Sequence, residues 1–222
     1  VNNLVRGVMM NEKTHLPKMI ASQIVMDIVN NKLVPGSKVI EEKYANTFGT
    51  SRGPIREALY MLETEGLIER IPKRGAFVKK YNKQDLCDLF EVRIALEIMS
   101  IRRLKYPLPE NKINEIDRII EAMYTANQEE YSILNNDFHY KILCLSENEI
   151  FKNFYSRLGA PLFALQKFVL ETPENIQHSL QEHQLLWKAI KERKLNIAKA
   201  VLEDHMESGK KRFLMGIEKK TG

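Results

Sequence analysis

Three of the chain's five histidines fall in apolar stripes at helical spacing. His183 belongs to the series Ile176, Leu180, His183, Trp187, Ile190, and His205 to Ala198, Leu202, His205, Gly209. His139, in "ILNNDFHYKIL", has Asn135 one turn before it, on a face beside Leu134, Phe138 and Ile142. A period of three and four places each imidazole on the inner face of a helix. One inward histidine is most often a hydrogen-bonded core residue. Three that point from three helices toward one interior, inside an apolar shell, have the chemistry of a divalent-metal site. His178 is off the His183 face and reads as surface, and His15 reads as incidental. Glu182 and Asp204 adjoin histidines in sequence, but their positions turn them off the histidine faces.

Arg93 is a second interior candidate. In "LCDLFEVRIALEIMSIRRL" it shares a side with Leu86, Phe90, Glu97 and Ile101. A buried guanidinium needs a partner or a task. Two readings stand: an i,i+4 ion pair with Glu97 that fixes helix packing, or an effector-binding group aimed at the carboxylate of a small acid that also completes a metal's coordination.

A different chemistry gathers in "TSRGPIREALYMLETEGLIERIPKRGAF", residues 50–77. Arg52 and Arg56 are one helical turn apart, opposite the stripe of Ile55, Leu59 and Leu62. The planar arginine fork matches two acceptors of guanine or bridges phosphate oxygens, and Ser51 beside free backbone N–H groups suits a phosphate.

The elements that must carry these residues follow from the pattern. Ile20, Ile24 and Ile28 give an amphipathic helix over Leu16 to Asn31, closed by "PGS" at 35–37. "EEKYANTFG" is a second, short helix stopped by Gly49. Thr50 and Ser51 are good N-caps, Pro54 fits a first helical turn, and the third helix ends at Gly66. Two short helices on a tight turn make a helix-turn-helix, whose second helix enters the DNA major groove. "LIER" and "GAFVKK", separated by "IPKRG", read as a two-stranded wing with a basic, glycine-containing tip.

From Tyr81 onward the texture is helical without strand-like alternation, with about six helices and breaks at "LKYPLPEN", "NQEE", "SENEI", "ETPEN" and "ERKLN". The expected fold is mainly α: a winged helix-turn-helix in residues 1–80 and an all-helical domain in 81–222 able to enclose a ligand and to dimerise. Charge divides at the same place. Residues 1–80 hold 13 Lys or Arg against 8 Asp or Glu, whereas 81–222 hold 21 of each, so the whole net charge of +5 sits in the first part. That asymmetry favours a polyanionic partner for the first part alone. Two cysteines, both in apolar helical patterns, speak against a disulfide framework. No apolar run is long enough for a bilayer, and "VNNLVRGVMMNEKTHLP" lacks a signal-peptide core. The expectation is a soluble cytoplasmic protein.

The stretch "GSKVIEEKYANTFGTSRGPIREALYMLETEGLIERIPKRGAFV" resembles the winged domain of GntR-type bacterial transcription regulators, with their "SR-x-P-x-REAL-x-x-L-x-x-EGL" core followed by "RG-x-x-V". By that resemblance Ser51, Arg52 and Arg56 contact operator DNA from the recognition helix, and Arg74 and Gly75 from the wing. Some relatives place an arginine in helix two for a further contact, where this chain has Glu41, Glu42 and Lys43. The helical part is similar to the effector domain of the FadR branch. Its metal-binding members share a carboxylate four residues before a histidine in an "FH" context, then two later histidines. "N-x-x-x-H", "QEHQ" and "EDHM" match those positions, so the resemblance assigns Asn135, His139, His183 and His205 as metal ligands. Asn135 offers a neutral carbonyl oxygen where many relatives have aspartate, which lowers affinity for a divalent ion. Asp137 is about 200° of helix rotation from His139 and faces elsewhere. Zinc is the first choice of metal, with nickel and manganese open, since histidine nitrogen with one oxygen does not select sharply.

The expected function is a transcription regulator, a repressor acting as a homodimer on double-stranded operator DNA, controlled by a small carboxylate metabolite in a metal-containing cavity. Two alternatives remain open to the sequence. A metal-dependent hydrolase would need a general base that the pattern does not supply. A constitutive DNA-binding protein would hold a structural metal or none.

Overall fold

The computed structural model describes residues 15–30, 32–166 and 172–221. The stretch 1–14, together with Asn31 and Glu171 at the expected helix end and break, lies outside the described residues. The chain divides into two compact units, residues 1–82 with 156–164, and residues 83–155 with 165–222.

The first unit contains α1 (His15–Val29), β1 (Lys38–Val39), α2 (Glu41–Phe48), α3 (Arg52–Thr64), β2 (Ile68–Ile71) and β3 (Gly75–Val78). Its core is the one that the spacing predicts. Ile20, Ile24 and Ile28 of α1 pack with Tyr44 and Ala45 of α2 and with Ile55, Ala58, Leu59 and Leu62 of α3. Gly49 ends α2 in the left-handed region at φ 59°, and Thr50 N–H then bonds the Ala45 carbonyl, which turns the chain into α3. Ser51 takes the extended N-cap conformation, but its hydroxyl makes no capping bond, so the first N–H groups of α3 keep their capacity for an outside acceptor.

The wing is a three-stranded antiparallel sheet in the order β1-β3-β2. Ile68 pairs with Val78 and Ile71 with Gly75, while Lys38 and Val39 pair with Phe77 and Ala76. The inward residues Ile68, Ala76 and Val78 close the helical core. At the tip Lys73 and Gly75 both have positive φ, 61° and 104°, the turn that reverses the chain over three residues.

The chain beyond residue 82 forms α4 (Lys83–Arg102), α5 (Glu110–Met123), α6 (Gln128–Cys144), α7 (Glu149–Gln166), α8 (Pro173–Lys191) and α9 (Leu195–Thr221), all in the second unit except residues 156–164 of α7. Among the described residues these are six helices, as the periodicity implies, and the mainly α architecture holds throughout. The start of α6 is fixed by a capping box, with Asn127 Oδ1 accepting from Glu130 N–H and Glu130 accepting from Asn127 N–H. Helix α9 packs on α8 and α4, and α6 packs on α5 and α4. The faces of α4, α6, α8 and α9 that carry polar groups inward therefore meet in one interior.

Candidate metal centre and nucleic-acid interface

His139 on α6, His183 on α8 and His205 on α9 converge. Their Nε2 atoms lie 3.1 Å (139–205), 3.2 Å (183–205) and 3.3 Å (183–139) apart, and all three residues are buried. The opposite ring nitrogens are held. Glu97 Oε2 lies 2.7 Å from His139 Nδ1, Glu182 Oε2 lies 2.7 Å from His205 Nδ1, and the Tyr131 hydroxyl lies 3.4 Å from His183 Nδ1. A carboxylate only accepts, so the Nδ1 of His139 and of His205 donate, and in the neutral form of each ring Nε2 is the lone pair. Lone pairs that face one another at this distance repel unless a cation lies among them. Three ligand nitrogens on a tetrahedral zinc with bonds of about 2.0–2.1 Å stand about 3.3 Å apart, so the cluster fits such an ion.

The electrostatics agree with that chemistry. Burial pushes His183 well below the usual histidine range, and the nearby His205, His139 and Arg93 push it further. Burial also lowers His139, to about 4, against the opposing pull of Glu97. Both rings are neutral at pH 7, the form that binds a metal. Burial alone would raise Glu97, but His139 and Arg93 outweigh it and hold the carboxyl at about 2. Glu182 is lowered in the same way, with its bond to His205 prevailing over burial.

Arg93 and Glu97 form the i,i+4 ion pair that is one of the two readings offered by the sequence. Arg93 Nε donates to Glu97 Oε1 at 2.8 Å, and the second oxygen of Glu97 serves His139, so guanidinium, carboxylate and imidazole form one buried chain. Yet Arg93 Nη2 and the Tyr155 hydroxyl are buried without hydrogen-bond partners among the described residues. They are neighbours, with Arg93 Cζ 5.4 Å from the centre of the Tyr155 ring. The guanidinium and the hydroxyl also interact electrostatically with each other and with Glu97, so the three polar groups share one buried environment.

The structure brings the three predicted histidines together. Asn135 is buried one turn before His139 on α6, and no hydrogen bond ties it to an imidazole. Glu182 departs from the sequence expectation: it is off the His183 face, but that position aims it at His205 on the next helix. Its other oxygen lies 3.3 Å from Nδ1 of the exposed His178. Tyr131 was missed in the sequence, although a signal was there: it precedes His139 by eight residues and Asn135 by four on one stripe. Tyr155 carried no such signal.

In the first unit Ser51, Arg52 and Arg56 are exposed at the start of α3, and Arg74 and Gly75 are exposed at the wing tip. Arg74 Cζ stands 5.5 Å from the Phe77 ring centre. Arg56 Nε donates to Glu41 Oε2 at 3.0 Å, and Arg52 Nη2 lies 3.5 Å from Glu42 Oε2.

A winged helix-turn-helix joined to an all-helical domain with an internal histidine cluster is the make-up of a bacterial transcription regulator. Residues 16–78 match the bacterial regulatory proteins of the gntR family, and residues 88–208 match the FCD domain; the chain belongs to the GntR-type regulators that carry an FCD domain. It is similar to the HTH-type transcriptional regulator YdhC of Bacillus subtilis, 24% identical over 183 residues, which is 80% of this chain and 82% of that one. The gluconate operon transcriptional repressor of Bacillus licheniformis is 26% identical over 181 residues, 78% of this chain and 74% of its own. Among solved structures, E. coli McbR/YncC has the same fold, with a TM-score of 0.74 at 21% identity over 86% of this chain and 93% of that one. The family and these relatives are regulators and not enzymes, which removes the hydrolase alternative.

Proposed function

We propose that this chain is a cytoplasmic repressor that binds operator DNA as a homodimer and changes its affinity when a small carboxylate occupies the helical unit together with a divalent metal ion. His139, His183 and His205 would hold the ion through Nε2, with Asn135 as an oxygen ligand and zinc as the metal that this donor set suits best, ahead of nickel and manganese. An ion held there would supply a positive centre to which a carboxylate oxygen could bind. The chain's own contribution is the rest of the pocket: Glu97 and Glu182 fix the tautomers of two imidazoles, and Arg93 Nη2 with the Tyr155 hydroxyl offers donors to an anion. The observation that carries the reading is the set of three Nε2 atoms within 3.3 Å of one another. The name of the gluconate operon repressor supports a carboxylate effector, since gluconate is a hydroxy carboxylate.

In the first unit, Ser51, Arg52 and Arg56 would meet the major groove and its phosphates, with Arg74 and Gly75 at the adjoining backbone. Two copies are needed because one module contacts too few bases to find a single site in a genome. Coupling between ligand and DNA is then a difference in operator affinity between the free and occupied forms. The test is elemental analysis of protein purified without chelator, followed by operator binding with and without small carboxylates. About one equivalent of metal per chain, and an affinity changed by a carboxylate that is not consumed, supports the reading. A chain that stays metal-free after reconstitution with zinc, nickel and manganese overturns the metal half of it.

A further inference from the structure

The two arginines that the recognition helix offers to DNA, Arg52 and Arg56, are not free rods in solvent. Each is paired with a carboxylate from the first turn of α2, and the two pairs differ. Glu41 is largely covered, its side chain 26% exposed, and it accepts from Arg56 Nε at 3.0 Å. Glu42 is 69% exposed and stands 3.5 Å from Arg52 Nη2, an ion pair without a directed hydrogen bond. Both arginine side chains are 60% exposed.

We propose that Glu41 is a positioning residue for sequence readout: by holding Arg56 at Nε it fixes the plane of the guanidinium and presents the two terminal nitrogens as a fork of set direction. This rests on the reading that Arg56 contacts DNA. An arginine discriminates guanine because two parallel N–H groups meet O6 and N7 together, which requires the fork to lie in the plane of the base. Bound at Nε, Arg56 keeps its terminal N–H groups for that purpose, and the rotamer entropy is spent before DNA arrives. The carboxylate also opposes loose attachment. A negative charge beside the recognition helix weakens attraction to phosphates of any sequence, so an arginine held by Glu41 gains little from random DNA and its full bonding from the right base. Glu42 lies next to Glu41, is more exposed and is less directed, so it supplies the same charge without the same grip.

The test uses the full chain and a duplex selected by it from a random pool, against a scrambled duplex of equal length, with Kd measured at several salt concentrations. Glu41→Ala should tighten binding to the scrambled duplex while lowering the ratio of selected to scrambled affinity about tenfold. Glu41→Gln removes the charge but keeps an acceptor for Nε, and should retain most of the ratio. Glu42→Ala is the matched charge control and should tighten both duplexes alike with the ratio unchanged. A Glu41→Ala ratio equal to that of Glu42→Ala overturns the proposal. Arg56→Ala, measured in parallel, separates the two levels. If it leaves the ratio intact, Arg56 does not read DNA and the underlying assignment fails with the proposal; if it collapses the ratio and Glu41→Ala does not, only the role of Glu41 fails.

Discussion

Glu182 immediately precedes His183 in the chain, yet its carboxylate bonds the Nδ1 of His205, 2.7 Å away on α9. One helix therefore supplies both an imidazole of the cluster and the group that orients its neighbour's imidazole. Outer partners of this kind set ring orientation and raise ligand basicity. On the proposed metal reading, Glu182→Ala should weaken zinc binding about 10- to 100-fold while leaving the fold intact. Competition with a chromophoric chelator measures it, and an unchanged affinity would show that His205 is oriented by packing alone.

The buried imidazoles make the metal-free protein acid-sensitive. His139 has its folded pKa lowered from 6.5 to about 4. Above pH 6.5 the ring is neutral whether folded or unfolded, and its contribution to stability is complete. As pH falls, the unfolded chain takes up a proton that the folded one resists, so stability is lost progressively between about pH 6.5 and pH 4, by up to about 3 kcal/mol. His183 acts in the same direction. Glu97, held at about 2, has the usual carboxylate sign, and its contribution is lost as pH falls from about 4.5 to about 2. Thermal melting of the metal-free protein from pH 7.5 to 4.5 should show Tm falling through this window; a flat profile would mean that the rings are already protonated or solvated when folded.

At the wing, Arg74 extends from a tip set by the positive φ of Lys73 and Gly75, with its guanidinium over Phe77. On the proposed reading, a side chain in that place serves the DNA backbone and not a base edge. Arg74→Ala should weaken selected and scrambled duplexes by the same factor and reduce the slope of log K against log salt by about 1. A loss confined to the selected duplex would instead make it a base reader.

Much of the fold and of the histidine cluster was legible in the sequence, for a physical reason. Periodicity reports which face of a helix is buried, and Ile55, Leu59, Leu62, His139, His183 and His205 are all where their spacing puts them. Backbone punctuation was equally direct at Gly49, whose left-handed conformation ends α2. What periodicity does not report is which neighbouring helix lies opposite a residue at the edge of the inner face. Glu182 is at such an edge, and its two methylenes carry the carboxylate across to α9. Tyr155 belongs to α7 and reaches Arg93 only through tertiary packing. Strand β1 escaped for a related reason: two residues have no period, and their strand character is conferred by pairing with Phe77 and Ala76.

Glu65, just past the end of α3, makes the recognition helix sensitive to pH in the opposite sense from the histidines. Burial raises its carboxyl from 4.5 to about 7, and a negative charge at a helix C-terminus adds to the mismatch. For an acid with a raised pKa, stability is complete below pH 4.5, where the carboxyl is protonated in both states, and is lost as pH climbs through about 7 and the buried group must ionise. Glu65→Gln keeps the size and removes the charge. It should therefore leave the first unit unchanged at pH 4.5 and stabilise it at pH 8 by roughly 1–3 kcal/mol, the upper figure being a fully retained shift. Amide hydrogen exchange in α3, compared between the variant and the original chain at both pH values, reads this locally. Equal protection at pH 8 would show that Glu65 reaches solvent when ionised and that the end of α3 yields to let it do so.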